Sequence, residues 1–129
     1  MTVTLLKGID ELKQKAGSHL GYSDWHEITQ DNIDRFADAT DDHQWIHVDV
    51  ERAQNGPFGQ TIAQGYLVLS LATPLLAEVL DFEATKLIIN YGLNRVRFQH
   101  RSRSAAASAS GPFSRRSTTS RVASRPSST

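Results

Sequence analysis

The sequence predicts an α+β domain in which a sheet wraps around one buried helix, and three observations carry that prediction. Residues 65–80 (GYLVLSLATPLLAEVL) are apolar around the whole helical circumference, the pattern of a helix covered on all sides. Residues 86–98 (KLIINYGLNRVRF) alternate as a strand does, with Leu87, Ile89, Tyr91 and Leu93 on one side. The chain has 129 residues, room for one small core and not for two.

The elements follow in order. Leu5, Leu6, Ile9 and Leu12 recur at helical spacing with Gly17 placed as a C-cap, which predicts a short N-terminal amphipathic helix. The aromatic-rich run 21–28 (GYSDWHEI) reads as a first strand. Thr29 is an N-cap for a helix over QDNIDRFADAT, with Asp31 and Asp34 in its first turn and Ile33, Phe36 and Ala37 as its buried stripe. Residues 41–47 are polar and show no period. Asp49 caps a short helix through Ala53, and Asn55 to Gly59 form a loop. Pro74 removes a backbone donor and kinks the apolar helix. In the following strand the apolar parity switches to Val96 and Phe98, which predicts a bulge near Asn94.

Charge divides the chain. Residues 1–99 hold eight Lys/Arg against fourteen acids, a net −6, while residues 100–129 hold six Arg and no acid, a net +6. Two kinds of sequence meet near residue 99. The absence of cysteine excludes disulfides, thiolate catalysis and Cys-ligated zinc. The first residues lack the basic and apolar regions of a secretory signal, and no apolar run is long enough for a membrane span. A soluble cytoplasmic protein is expected.

The richest stretch is Phe36 to Asp49, where four acids (Asp38, Asp41, Asp42, Asp49) and two histidines (His43, His47) fall within twelve residues. A solvated, capped loop is one explanation. A metal site is a second, since His43 and His47 are four apart, but it needs a helix through Gln44, Trp45 and Ile46 for which there is no propensity signal. Acid–base catalysis by a carboxylate and an imidazole sharing a water is a third, and spacing alone does not choose among them.

The stretch Asp41-Asp42-His43-Gln44-Trp45-Ile46-His47-Val48-Asp49 resembles the hydratase motif of the MaoC-like family, G-D-x-N-P-(L/I/V)-H-x-D. Asp42 and His47 match its catalytic pair, while Asp41, Gln44 and Trp45 replace Gly, Asn and Pro; the altered form is similar to a subgroup of that family. Pro57 to Tyr66 resembles the F-x-x-x-I-A-H-G segment that leads into the family's central helix, with Gln64 in place of His and Gly65 kept. Ile89 to Phe98 is similar to the subgroup's second strand.

The resemblance implies a hotdog fold, a central buried helix wrapped by an antiparallel sheet. It implies an (R)-specific enoyl-CoA hydratase that adds water reversibly to a trans-2-enoyl-CoA, giving a (3R)-3-hydroxyacyl-CoA without metal or redox cofactor. Asp42 and His47 would hold the water, and the Gly65 backbone N–H would polarise the thioester carbonyl. Gln64, Ser70 and Thr73 are candidate substrate-binding residues, although core packing also explains the last two. Family members are typically dimers, so a homodimer is expected. A hotdog acyl-CoA thioesterase is the alternative within the fold. A binding module with a basic arm for nucleic acid is the alternative outside it, but the tail has one aromatic, Phe113, and no stacking pattern, so nucleic acid is not the expected partner.

Residues 99–129 do not continue the resemblance: ten Ser, six Arg and no acid predict disorder. The family would continue Pro-Ala-Pro-Val-Pro. Written in GC-rich codons and displaced by one base, Gln99 to Ala109 reads Pro-Ala-Pro-Val-Pro-Val-Gly-Ser-Arg-Val-Arg, which contains that family segment and the Gly-Ser-Arg-Val-Arg that follows it in the family. The expected organisation is therefore an N-terminal hotdog portion over residues 1–98 and an out-of-frame tail over 99–129. With few strands to cover the central helix, weak or absent activity is expected of this chain.

Overall fold

The computed structural model describes residues 3–83, 85–99 and 101–102. The element order is β1 (Thr4–Leu6), α1 (Ile9–Lys15), α2 (Gln30–Thr40), α3 (Trp45–Val48), α4 (Val50–Gln54), α5 (Gly65–Ser70), α6 (Ala72–Ala77) and β2 (Leu80–Phe82). The class is α+β, as the sequence predicts. The expectation of a disordered tail falls mainly on residues 103–129, which lie outside the described residues.

The chain forms two compact units. The first takes the residues up to Asp24 together with Ala72–Asn94. Its sheet pairs β1 with β2 in parallel, in the register Thr4↔Leu80, Leu5↔Asp81, Leu6↔Phe82. Leu6 and Leu80 are buried there. Leu5 and Leu6 are thus strand rather than helix, because the ladder gives their backbone partners that local periodicity does not reveal: Glu83 N–H donates to Leu6 O and Thr4 N–H to Val79 O. Helix α1 begins only at Ile9. Asp10 and Glu11 stand in its first turn and Lys13 and Lys15 in its last, both favourable to the helix dipole. Ala16 is its C-cap and Gly17 follows at φ +79°, the left-handed position that glycine occupies without cost.

Two expectations change in this unit. The run 21–28 expected as a strand is irregular: Gly21 sits at φ +141° and Asp24 N–H donates to the Glu78 carboxylate instead of to a neighbouring strand. Residues 86–93 are free of helix and of strand pairing, and Leu87, Ile88, Ile89, Tyr91 and Leu93 are exposed. Alternation predicts a strand only where a neighbour supplies the ladder, and among the described residues none does so here. The expected bulge near Asn94 is correspondingly a bend in unpaired chain. The only sheet among the described residues is the parallel pair β1–β2.

The second unit comprises Trp25–Leu71 together with the described residues from Arg95 to Ser102. Ile28, Ile33, Ala63 and Leu67 form its core, with Phe36, Val68 and Leu71 packed against them. Helix α2 fulfils its sequence signals: the Thr29 hydroxyl accepts from Asn32 N–H, and the Asn32 side chain accepts from Thr29 N–H, a capping box. Ile33 and Ala37, one turn apart, are fully buried at 0% exposure. The Asp49 carboxylate caps α4 by accepting from Arg52 N–H at 3.0 Å. The long apolar helix is divided: α5 ends at Ser70 and α6 begins at Ala72, with Pro74 in its first turn, where a helix has no use for a backbone N–H donor.

Candidate active site

All of the motif residues from Phe36 to Asp49 belong to the second unit. Helix α2 closes at Asp41, whose φ of +62° is the left-handed conformation that turns the chain out of the helix. Glycine stands at this position in the motif the sequence resembles. Aspartate is among the few other residues that tolerate it. Asp42 follows on an exposed, irregular stretch, and α3, a single turn that carries no propensity signal, then brings in His47. Trp45 at its start lies flat enough on Gly56 that a Cβ there would come within 2.9 Å of the indole. The Arg52 guanidinium covers the indole at 4.3 Å. Trp45 thus packs where the motif has proline.

His47 is the buried member of the pair, 7% exposed. Its Nδ1 lies 2.7 Å from the carbonyl of Ile62. A carbonyl only accepts, so Nδ1 carries the proton and Nε2 of the neutral ring keeps its lone pair. Ile62 N–H in turn donates to Ile46 O at 3.0 Å, so residues 46–47 and 62 are tied twice. In the neutral ring the acceptor is therefore Nε2, a choice the sequence left open. Among the described residues no hydrogen bond or ion pair joins Asp42 to His47; the two stand five residues apart, one exposed and one buried.

His43 has a different environment. It is exposed, its Nε2 lies 2.9 Å from the Asp38 carboxylate and its Nδ1 3.9 Å from Asp41. The hydrogen bond to Asp38 raises its pKa above the ordinary histidine value, opposed by desolvation and aided by the charges of Asp38 and Asp41. The two histidines therefore have separate partners. Among the described residues no group of three His, Cys, Asp or Glu is placed to hold a metal ion.

The second motif packs beside His47. Gln64, the N-cap of α5, is 2% exposed and donates its Nε2 to Ile33 O at 3.1 Å. Its free atom is therefore Oε1, which is buried without a partner, as is Nε2 of Gln60. An orphaned buried polar atom costs about 1–3 kcal/mol, so these two atoms mark where a polar ligand group would be favoured. Gly65 opens α5, and a Cβ on it would lie 2.8 Å from the Phe98 ring, which also meets Tyr66 edge to face at a 6.1 Å centroid separation. Ser70 is exposed and donates its hydroxyl to Tyr66 O at 2.7 Å, a bond within its own helix. Thr73 is exposed on α6, in the other unit. Sequence reasoning passed over Gln30 and Thr61, which make a further contact to His47 described below.

The comparisons give the family. A model of the MaoC-like domain matches residues 11–101, and the chain belongs to that family. It is 52% identical over 92 residues to 3-hydroxyacyl-thioester dehydratase Z of Mycobacterium tuberculosis (strain H37Rv), which covers 71% of this chain and 61% of that protein. It is 46% identical over 90 residues to Nodulation protein N of Rhizobium leguminosarum bv. viciae, covering 68% of this chain and 56% of the relative. The chain thus spans about three-fifths of the length of these relatives. Among solved structures, the monoamine oxidase regulatory protein from Archaeoglobus fulgius superposes with a TM-score of 0.53 at 32% identity, over 63% of this chain and 54% of that one. The fold is accordingly of the hotdog type. Among the described residues no helix is long and apolar enough to cross a membrane.

Proposed function

We propose that the site is that of an (R)-specific enoyl-CoA hydratase, interconverting a trans-2-enoyl-CoA and a (3R)-3-hydroxyacyl-CoA. The observation that supports this most is the state of His47: buried, held through Nδ1–H, and presenting an unprotonated Nε2 five residues after Asp42. The name of the Mycobacterium relative, a 3-hydroxyacyl-thioester dehydratase, points to the same reaction run in reverse.

Asp42 and His47 hold one water between them. As its oxygen bonds to Cβ, a proton passes to His47 Nε2, and the imidazolium is stabilised by the Ile62 carbonyl on its other nitrogen. The enolate-like charge on the thioester oxygen is met by the Gly65 N–H. The pair then returns a proton to Cα on the same face. Water is added and no electrons change hands, so the step requires no redox cofactor. Gln64, with a free acceptor atom, is suited to a donor on the substrate such as an amide N–H of the pantetheine arm, or to the water itself. The partner is an acyl-CoA thioester, and a homodimer is the assembly the family resemblance implies.

The test is the loss of enoyl absorbance from crotonyl-CoA. The chain with its reading frame restored is expected to hydrate it, and Asp42→Asn and His47→Ala in that chain to lose the activity. Unchanged rates in both variants, or thioester cleavage without hydration, would refute the assignment.

A further inference from the structure

Gln30 opens α2, and in the sequence it is merely the residue after an N-cap. In the structure its side-chain amide is fully used. Nε2 donates one proton to the backbone carbonyl of His47 at 2.8 Å and the other to Asp34 Oδ1 at 2.8 Å, while Oε1 accepts from the hydroxyl of Thr61 at 2.6 Å. A primary amide has two N–H donors, and both are placed here. Thr61 is 1% exposed, so its hydroxyl is in the interior.

The position of these bonds matters more than their number. Residues 46–47 and residue 62 are already joined by the Ile62 N–H to Ile46 O bond and by the His47 ring to Ile62 O bond. Both tie the residues of α3 to Ile62 alone. The Gln30 amide spans the same two segments from the side, from Thr61 on one to the His47 carbonyl on the other. It is a cross-brace on the short helix that carries the imidazole.

We propose that Gln30, backed by Thr61, is a positioning residue for His47: it fixes the main chain at His47 so that the ring keeps Nδ1–H on Ile62 O and aims Nε2 outward. The inference rests on the hydratase reading for its catalytic consequence and not for its structural one. Misplacement of a catalytic group by about 1 Å can cost on the order of a hundredfold in rate, so a one-turn helix needs such a brace.

The test uses the full chain. Gln30→Leu removes all three bonds. Gln30→Glu, as a carboxylate, keeps the acceptor for Thr61 but has no proton for the His47 carbonyl; it carries the test if the leucine variant does not fold. Thr61→Val removes the hydroxyl, and Thr61→Ser restores it. With crotonyl-CoA, Gln30→Glu and Gln30→Leu are expected to lower kcat by roughly ten- to a hundredfold with little change in KM, Thr61→Val to lower it less, and Thr61→Ser to recover. Nitrogen NMR of the His47 ring gives a readout independent of activity. The unmodified chain is expected to show the Nδ1–H tautomer alone, and the Gln30 variants a mixture of tautomers. A single Nδ1–H tautomer retained in a folded Gln30 variant overturns the proposal. Absence of hydration both by this chain and by the chain with its reading frame restored refutes the functional reading instead, and leaves the ring measurement to decide the brace.

Discussion

The proton of His47 Nδ1 is committed to the carbonyl of Ile62 across 2.7 Å, and this bond decides which nitrogen of the ring is free for chemistry. The carbonyl sits fifteen residues downstream, in the segment leading to α5, so the orientation of the ring depends on two parts of the chain closing on each other. His47→Ala is expected to lower crotonyl-CoA hydration by about 10²–10⁴-fold, the usual value of general acid–base help. His47→Gln, which can still donate to Ile62, should keep the fold while losing the rate. Stopped absorbance assays beside circular dichroism check both.

His43 is expected to titrate above the ordinary histidine value of about 6.5, because its Nε2 is bonded to Asp38. A raised folded-state pKa means that the Asp38–His43 pair stabilises the protein below pH ~6.5 and that this contribution fades as pH rises through the folded-state value. The pair is exposed and screened, so the effect on stability is small. Proton NMR of His43 should show the midpoint falling in Asp38→Asn; an unmoved midpoint would remove Asp38 as the cause.

The capping box at the start of α2 predicts a stability effect. Thr29→Ala loses the hydroxyl that accepts from Asn32 N–H, and urea unfolding should report a loss of about 1 kcal/mol. Thr29→Ser should recover most of it.

Gly65 lies under the Phe98 ring, and a methyl group there would come within 2.8 Å of it. Phe98 is half exposed and able to swing aside, so Gly65→Ala is expected to displace the ring at a cost near the low end of overpacking, about 1 kcal/mol. Loss of the ring-current shifts between Tyr66 and Phe98 would report it. Phe98→Ala in the same chain should remove the penalty.

The change of composition at residue 99 we attribute to a one-base frameshift in the gene. DNA sequencing across codon 99 should find the displaced base, and the chain with the frame restored should hydrate crotonyl-CoA faster than this one. An unbroken frame on both strands would rule the attribution out.

What the sequence made legible is what depends on neighbours along the chain. Thr29, Ile33 and Ala37 announced α2, and Asp49 announced α4, because caps and helical stripes act over three or four residues. Leu5 and Leu6 misled because their partners, Asp81 and Phe82, lie far along the chain. Leu87 to Leu93 misled for the converse reason: alternation describes what a strand could bury and not whether a neighbour is there. In the site, the motif located Asp42 and His47 but not the burial of one and the exposure of the other. Gln30 carried no signal at all, since its bonds reach 17 residues to His47 and 31 to Thr61. The motif singles out Gln64 as a candidate, but which of its amide atoms lacks a partner is decided by the distant Ile33 carbonyl.

The left-handed Asp41 bears on how Asp42 is delivered. Exchange for glycine would relieve the strain of a Cβ at φ +62°, about 1 kcal/mol, and would return about 0.4–1 kcal/mol of disorder to the unfolded chain. The two nearly cancel, so stability is almost indifferent to which residue stands there. The directions open to the chain are not: glycine can leave α2 along several courses, and aspartate along one. The chain has exchanged latitude for aim at the residue immediately before its carboxylate.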